Sequence, residues 1–136
     1  MNLSSPAAVI FGCAGETLHD RERSFFPRVN PLGFILFARN CCSPDQIRAL
    51  TNDLRDTVGR VDAPILIDQE GGKVARLRPP QWREASAAGT IGEVARRDRE
   101  KGGEAAYLNA RLMAVELTEL GIDVDCAPVL DLPHHD

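Results

Sequence analysis

Apolar residues fall along this chain in two ways, as short unbroken runs and as longer stretches at helical spacing. Ala7 to Cys13 is a short apolar run punctuated by Gly12 and Gly15, and it reads as a buried strand. Glu16 to Asn30 is polar and ends at Pro31. Gly33-Phe34-Ile35-Leu36-Phe37 is a second run. Unbroken rather than alternating apolarity suits a strand covered on both faces, as in parallel sheets. The next segment carries helix signals at both ends. Ser43 can cap it, Pro44 fits the first helical position, and Gln46 completes an S-x-x-Q capping box. Ile47, Leu50, Leu54 and Val58 fall on one helical face, and Gly59 suits a left-handed position beyond the end. Pro64 to Ile67 is a third strand, followed by the loop Asp68-Gln69-Glu70-Gly71-Gly72.

Arg78 to Gly92 reads as loop, with Pro79-Pro80 and many small residues. The spacing then predicts a long helix over about Glu104 to Leu120, with Ala105, Leu108, Leu112 and Val115 on one face and Gly121 ending it. Ile122 to Ala127 is a fourth strand, and Pro128 to Asp136 is loop. The order is strand, strand, helix, strand, helix, strand. Strands separated by helices imply a parallel α/β sheet. Four strands are half of a (β/α)₈ TIM barrel, whose usual size is about 250 residues. The expectation is therefore one incomplete domain over residues 1–136, the N-terminal half of such a barrel, cut short after its fourth strand. An unrelated small α/β domain would require a closing strand and helix that the sequence does not supply.

Composition narrows the functions. A net charge of −4, with 14 Arg and 2 Lys in no basic stripe, argues against a nucleic-acid surface. No stretch approaches the roughly 20 apolar residues of a membrane span. No Lys or Arg precedes Arg21, and the first apolar run is too short for a signal-peptide core. The expected compartment is the cytoplasm, with Cys13, Cys41, Cys42 and Cys126 as free thiols. These cysteines and His19, His134 and His135 make no zinc spacing, so no metal or other cofactor is expected. His134-His135-Asp136 reads as part of a loop.

The third strand is the place where chemistry is expected. Side chains alternate along it, so Ile65 and Ile67 share one face while Leu66 and Asp68 share the other. With the isoleucines against the helices, Asp68 points to the barrel axis at the C-terminal end of its strand, the end on which such barrels build active sites. Gly71 and Gly72 allow a sharp turn, and Arg76 can fold back over the same opening. A carboxylate and a guanidinium together can fix a sugar ring through charge-assisted hydrogen bonds. The spacing equally allows Asp68 to cap the following turn while Glu70 and Arg76 form a solvated ion pair. On the fourth strand Asp123 and Asp125 share a face, and Asp125 and Asp131 suit the role of accepting backbone hydrogen bonds at the barrel rim.

Three blocks together carry a family resemblance. They are Gly33 to Phe37, Ile67-Asp68-Gln69-Glu70-Gly71-Gly72-Lys73-Val74-Ala75-Arg76, and Gly121 to Asp131 with its Asp123-Val124-Asp125-Cys126-Ala127-Pro128 centre. In this order they resemble glycoside hydrolase family 3, and most of all its bacterial β-N-acetylglucosaminidases of peptidoglycan recycling. Lys73 stands where that family more often has arginine. The resemblance implies substrate-binding roles for Asp68 and Arg76. It also implies a β-N-acetylhexosaminidase that removes terminal β-linked N-acetylglucosamine from muropeptides with retention, through an aspartate nucleophile and a histidine acid/base. The family's Lys-His pair, its Pro-Gly-His-Gly loop and its nucleophile strand have no counterpart in residues 1–136. No catalytic residue can therefore be assigned, and this stretch is expected to be inactive alone. The other expectation is a non-enzymatic sugar-binding or partner-dependent half-barrel, able to self-associate through exposed barrel edges.

Overall fold

The computed structural model describes residues 5–130. Four strands, β1 (Ala7–Phe11), β2 (Pro31–Leu36), β3 (Ile65–Ile67) and β4 (Val124–Asp125), form one sheet in the order β1-β2-β3-β4. All three pairings are parallel, with Phe34 opposite Ile65, Leu36 opposite Ile67, and Ile67 opposite Asp125. Parallel neighbours need crossovers, and helices supply them. They are α1 (Asp20–Val29), α2 (Pro44–Val58), and the consecutive α3 (Ala88–Arg97) and α4 (Arg99–Glu119). This is the α/β arrangement expected for four of the eight units of a barrel.

One face of the sheet makes the core. Phe34, Leu36, Ile65 and Ile67 are fully buried against Ile47, Leu50 and Leu54 of α2 and Leu117 of α4. Ile35 and Leu66, on the opposite face, are only half-buried. The two-residue alternation thus separates a helix-facing side from the side that Asp68 continues. Neighbouring strands are pressed close where β2 begins: a Cβ on Gly33 would lie 2.4 Å from the Pro64 carbonyl oxygen.

Helix α2 follows its sequence signals. Ser43 Oγ accepts the Gln46 N–H, Pro44 opens the first turn, and Gly59 closes the helix at φ 65°. The reciprocal half of the expected capping box is displaced by one residue, because Gln46 Oε1 accepts from the Cys42 N–H. The same amide donates to the carbonyls of Glu16 and Asn40 and so ties α2 to two neighbouring loops.

Three expectations need correction. The polar stretch Glu16 to Asn30 contains α1, which buries only Phe26 and carries Pro27 inside it. The segment read as loop to Gly92 already enters α3 at Ala88, and α3 buries no residue at all. The long helix begins at Arg99 rather than near Glu104, capped by Asp98, whose Oδ1 accepts the N–H groups of Glu100 and Lys101. The residues read on one face of it, Leu108, Leu112 and Val115, are exposed, while Gly102, Met113 and Leu117 are buried. Helix α4 is apolar on several sides, so two stripes compete and tertiary packing chooses between them. At Gly102 the choice is steric, because a Cβ there would lie 2.3 Å from the Ala95 side chain of α3.

Candidate functional site

Asp68 follows the last residue of β3, at the C-terminal end of a parallel strand. The turn after it is made by two glycines in the left-handed region, Gly71 at φ 91° and Gly72 at φ 62°. Only glycine fits there, since a Cβ on Gly71 would meet the Ser86 carbonyl oxygen at 2.3 Å and one on Gly72 the Ala87 methyl at 2.6 Å. The chain then returns antiparallel to itself, with Gly71 bridged to Val74 and the Val74 carbonyl accepting from Glu70 and Gly71. The return brings Arg76 back over the strand end, where its Nη2 donates to Asp68 Oδ2 at 2.7 Å. About a quarter of each side chain stays exposed. The carboxylate paired with Arg76 is thus that of Asp68, and the solvated Glu70–Arg76 pair that the spacing also allowed is not formed.

Gln69, between them, is turned the other way and is buried. Its Oε1 accepts the backbone N–H of Arg76 at 2.8 Å and of Leu77 at 3.0 Å, and its Nε2 donates to the Leu77 carbonyl at 3.2 Å. Its own backbone N–H donates to Asp125 Oδ1 at 2.9 Å. Asp125 therefore accepts a backbone hydrogen bond at the rim, as its position on β4 suggested. Asp131 and the run His134 to Asp136 lie outside the described residues.

Phe37, directly after β2, lies under two guanidinium groups. Arg39 Cζ is 4.7 Å and Arg76 Cζ 5.9 Å from its ring centroid, within cation–π range. Arg39 Nε also donates to the Cys13 carbonyl, so the loops after β1, β2 and β3 meet at one end of the sheet. Arg76 Nε is buried and makes no hydrogen bond among the described residues.

The end of β4 completes the group. Burial raises the Asp125 carboxyl above its ordinary value, the Gln69 N–H lowers it in part, and the charges of Asp68 and Glu70 raise it further. The Cys126 thiol is raised by burial first, then by the Asp68 charge and a hydrogen bond with Asp68, and then by Asp125. All four cysteines are free. Among the described residues no three His, Cys, Asp or Glu side chains are grouped to hold a metal ion, and no helix is long and apolar enough to cross a membrane.

A cavity of about 440 Å³ lies between α4 and the end of β4, lined by apolar residues such as Ala106, Ala110, Met113 and Pro128. It meets the group just described through Glu70 and Asp125, but neither Asp68 nor Arg76 lines it. Its apolar walls offer little to a hydroxyl-rich ligand. The charged pair over β3 is therefore the better candidate site.

Sequence reasoning brought out Asp68 and Arg76, and the fold places them together. It missed Gln69, Phe37, Arg39 and Cys126 as neighbours of the pair. Gln69 was readable in principle, since alternation past Asp68 sends the next side chain inward, where an amide needs partners. The convergence of Phe37 and Arg39 on Arg76 depends on strand register and has no local signal.

Comparison with known proteins places the chain in a family. The glycosyl hydrolase family 3 N-terminal domain matches residues 18–136. A β-hexosaminidase of Methylococcus capsulatus is 41% identical over 123 residues, covering 90% of this chain and 35% of that protein. Crystal structures of NagZ from Neisseria gonorrhoeae superpose closely. One, in complex with a zinc ion, has a TM-score of 0.85 at 30% identity and covers 93% of this chain and 38% of that one. Another, in complex with N-trifluoroacetyl-D-glucosamine, has a TM-score of 0.84 at 29% identity and covers 93% of this chain and 36% of that one. The chain thus spans little more than a third of the length of these relatives.

Proposed function

The chain belongs to glycosyl hydrolase family 3 through its N-terminal domain, and on that premise we propose that it is the sugar-holding part of a β-N-acetylhexosaminidase. The whole enzyme removes terminal β-linked N-acetylglucosamine from peptidoglycan fragments in the cytoplasm, with retention and without a cofactor. The substrate is an N-acetylglucosamine-containing muropeptide. Asp68 accepts hydrogen bonds from ring hydroxyls, and Arg76 donates to others. The single observation that supports this most is the Asp68–Arg76 pair, 2.7 Å apart over the end of β3 and still partly open to solvent. A carboxylate so placed, beside a cation, keeps acceptor positions for hydroxyls, and hydrogen bonds to such a pair are charge-assisted. The β-hexosaminidases and the NagZ complex with a glucosamine derivative point to the same ligand class.

Retaining hydrolysis requires a carboxylate nucleophile and a proton donor a few ångströms apart. Residues 1–136 contain neither the Lys-His nor the Pro-Gly-His-Gly block of the family, so by themselves they hold a sugar without cleaving it. A non-enzymatic, partner-dependent half-barrel is the second reading. It is favoured by the sheet order, in which β1 and β4 each pair with a single neighbour among the described residues. Such edges are templates for self-association.

The test is to titrate N-acetylglucosamine into residues 1–136 and into the Asp68→Ala variant, and to assay both with a chromogenic β-N-acetylglucosaminide. Saturable binding that the variant loses, with no turnover by either chain, is expected. Equal binding by both, or none, overturns the sugar site. Turnover that disappears in the variant overturns the inactivity of residues 1–136.

A further inference from the structure

We infer that Gln69 is a positioning residue for the sugar site, setting the orientation of Arg76 without touching the ligand. The inference rests on the sugar-binding reading of Asp68 and Arg76.

Arg76 has little of its own to hold it. Its guanidinium makes one hydrogen bond, to Asp68, while its Nε is buried with no partner among the described residues. The Phe37 ring lies near the limit of cation–π range and sets no rotation about the side-chain axis. The backbone at 76–77 is fixed far more firmly. Three hydrogen bonds of 2.8, 3.0 and 3.2 Å join it to the one amide of Gln69. That residue is 1% exposed, so no water can replace those bonds. Gln69 is itself anchored at its backbone by Asp125, and it is chain neighbour to Asp68. One residue therefore couples three things: the strand end that aims Asp68, the neighbouring strand β4, and the returning arm that carries Arg76. A side chain reaching back from residue 76 magnifies any tilt of its backbone, so the 2.7 Å contact at its tip depends on this clamp.

A merely structural glutamine would lower stability and leave the grip of a folded chain on its ligand unchanged. A positioning residue lowers affinity through Arg76 alone, so its loss is not felt once Arg76 is gone. The experiment measures the N-acetylglucosamine dissociation constant for residues 1–136 and for the variants Gln69→Met, Arg76→Gln and the double variant, each shown folded by circular dichroism. Gln69→Met and Arg76→Gln should each weaken binding by about tenfold or more, the size of a lost hydrogen bond to a charged group. The double variant should bind no more weakly than Arg76→Gln. The Arg76 side-chain ¹⁵Nε resonance should move in Gln69→Met without ligand. Where Gln69→Met does not fold, Gln69→Asn replaces it, keeping a buried amide too short to span both N–H groups. Wild-type affinity in the folded Gln69 variant, or multiplicative losses in the double variant, overturns the inference and leaves the sugar site standing. Absence of binding by the unsubstituted chain overturns both.

Discussion

Asp123 and Ile65 exchange two hydrogen bonds across 58 residues: the Ile65 N–H donates to Asp123 Oδ2 at 2.9 Å, and the Asp123 N–H donates to the Ile65 carbonyl at 3.0 Å. Arg55 of α2 donates to the same carboxylate oxygen at 2.7 Å, so one side chain joins two strands and a helix. Asp123→Ala should destabilise the fold by about 1–2 kcal/mol, because it leaves the Ile65 N–H and a largely buried guanidinium without that partner. Asp123→Asn should recover most of the loss by still accepting both bonds. Urea unfolding midpoints check this, and equal midpoints for Asp123→Ala and wild type would contradict it.

Two glycines of similar backbone conformation should respond differently to alanine. Gly59 at φ 65° has nothing within 4 Å of the place a methyl group would occupy, so Gly59→Ala should cost only the left-handed penalty of about 1 kcal/mol. Gly71 at φ 91° would drive the same methyl into the Ser86 carbonyl, and Gly71→Ala should cost about 3 kcal/mol or more and disturb the Asp68–Arg76 return. Thermal melts compare the two, and a Gly71→Ala protein as stable as Gly59→Ala would refute the tight approach.

The raised Asp125 carboxyl has a pH consequence with a definite sign. A carboxyl whose affinity for protons is higher in the folded chain makes the folded state bind more protons, so stability falls as pH rises from the ordinary aspartate value through the raised one. Below that window the effect is absent. Asp125→Asn cannot ionise, and its stability relative to wild type should therefore increase across the window and then level off. Paired denaturation curves from acid to neutral pH measure the difference. A difference that runs the opposite way would mean that Asp125 is held ionised instead.

Thiol reactivity should rank by environment rather than by sequence position. Burial pushes Cys13 up to about 11 and Cys41 up to about 12, so at pH 8 only about a thousandth or less of either is thiolate. Iodoacetamide should modify the exposed Cys42 first. Cys126, although exposed, should lag because partial burial first and Asp68 second favour its protonated form, and Asp68→Asn should speed its labelling. Mass spectrometry of timed digests reads the order, and labelling of Cys126 unaffected by Asp68→Asn would remove the thiol from the neighbourhood of the pair.

How much was legible in the sequence follows from how redundantly each element is written. Helix α2 carries a cap, a proline, a closing glycine and a single apolar stripe, and all four signals agree. Helices α1 and α3 bury one residue and none, so little periodicity was there to find. Their formation depends on chain connectivity and on contacts such as Ala95 against Gly102. In α4 the apolar pattern fits more than one face, and the face that buries Met113 and Leu117 was settled by tertiary packing. Asp68 and Arg76 were visible because strand alternation and a Gly-Gly turn lie within about nine residues of each other. Phe37 and Arg39 belong to a different strand end, and their approach to Arg76 is fixed only by the β2–β3 register.

The Asp68-to-Arg76 return closes over eight residues, whereas the bond from Thr51 Oγ1 to the Leu120 carbonyl closes over 69. Chain closure becomes entropically harder with the logarithm of loop length, and between these two spans the difference is about 2 kcal/mol. The grip is thus a short-range product of the chain, while the packing of α2 against the end of α4 is a long-range one. In a refolding chain the return can come together within the early, local phase of the search, before the distant strands have found their partners.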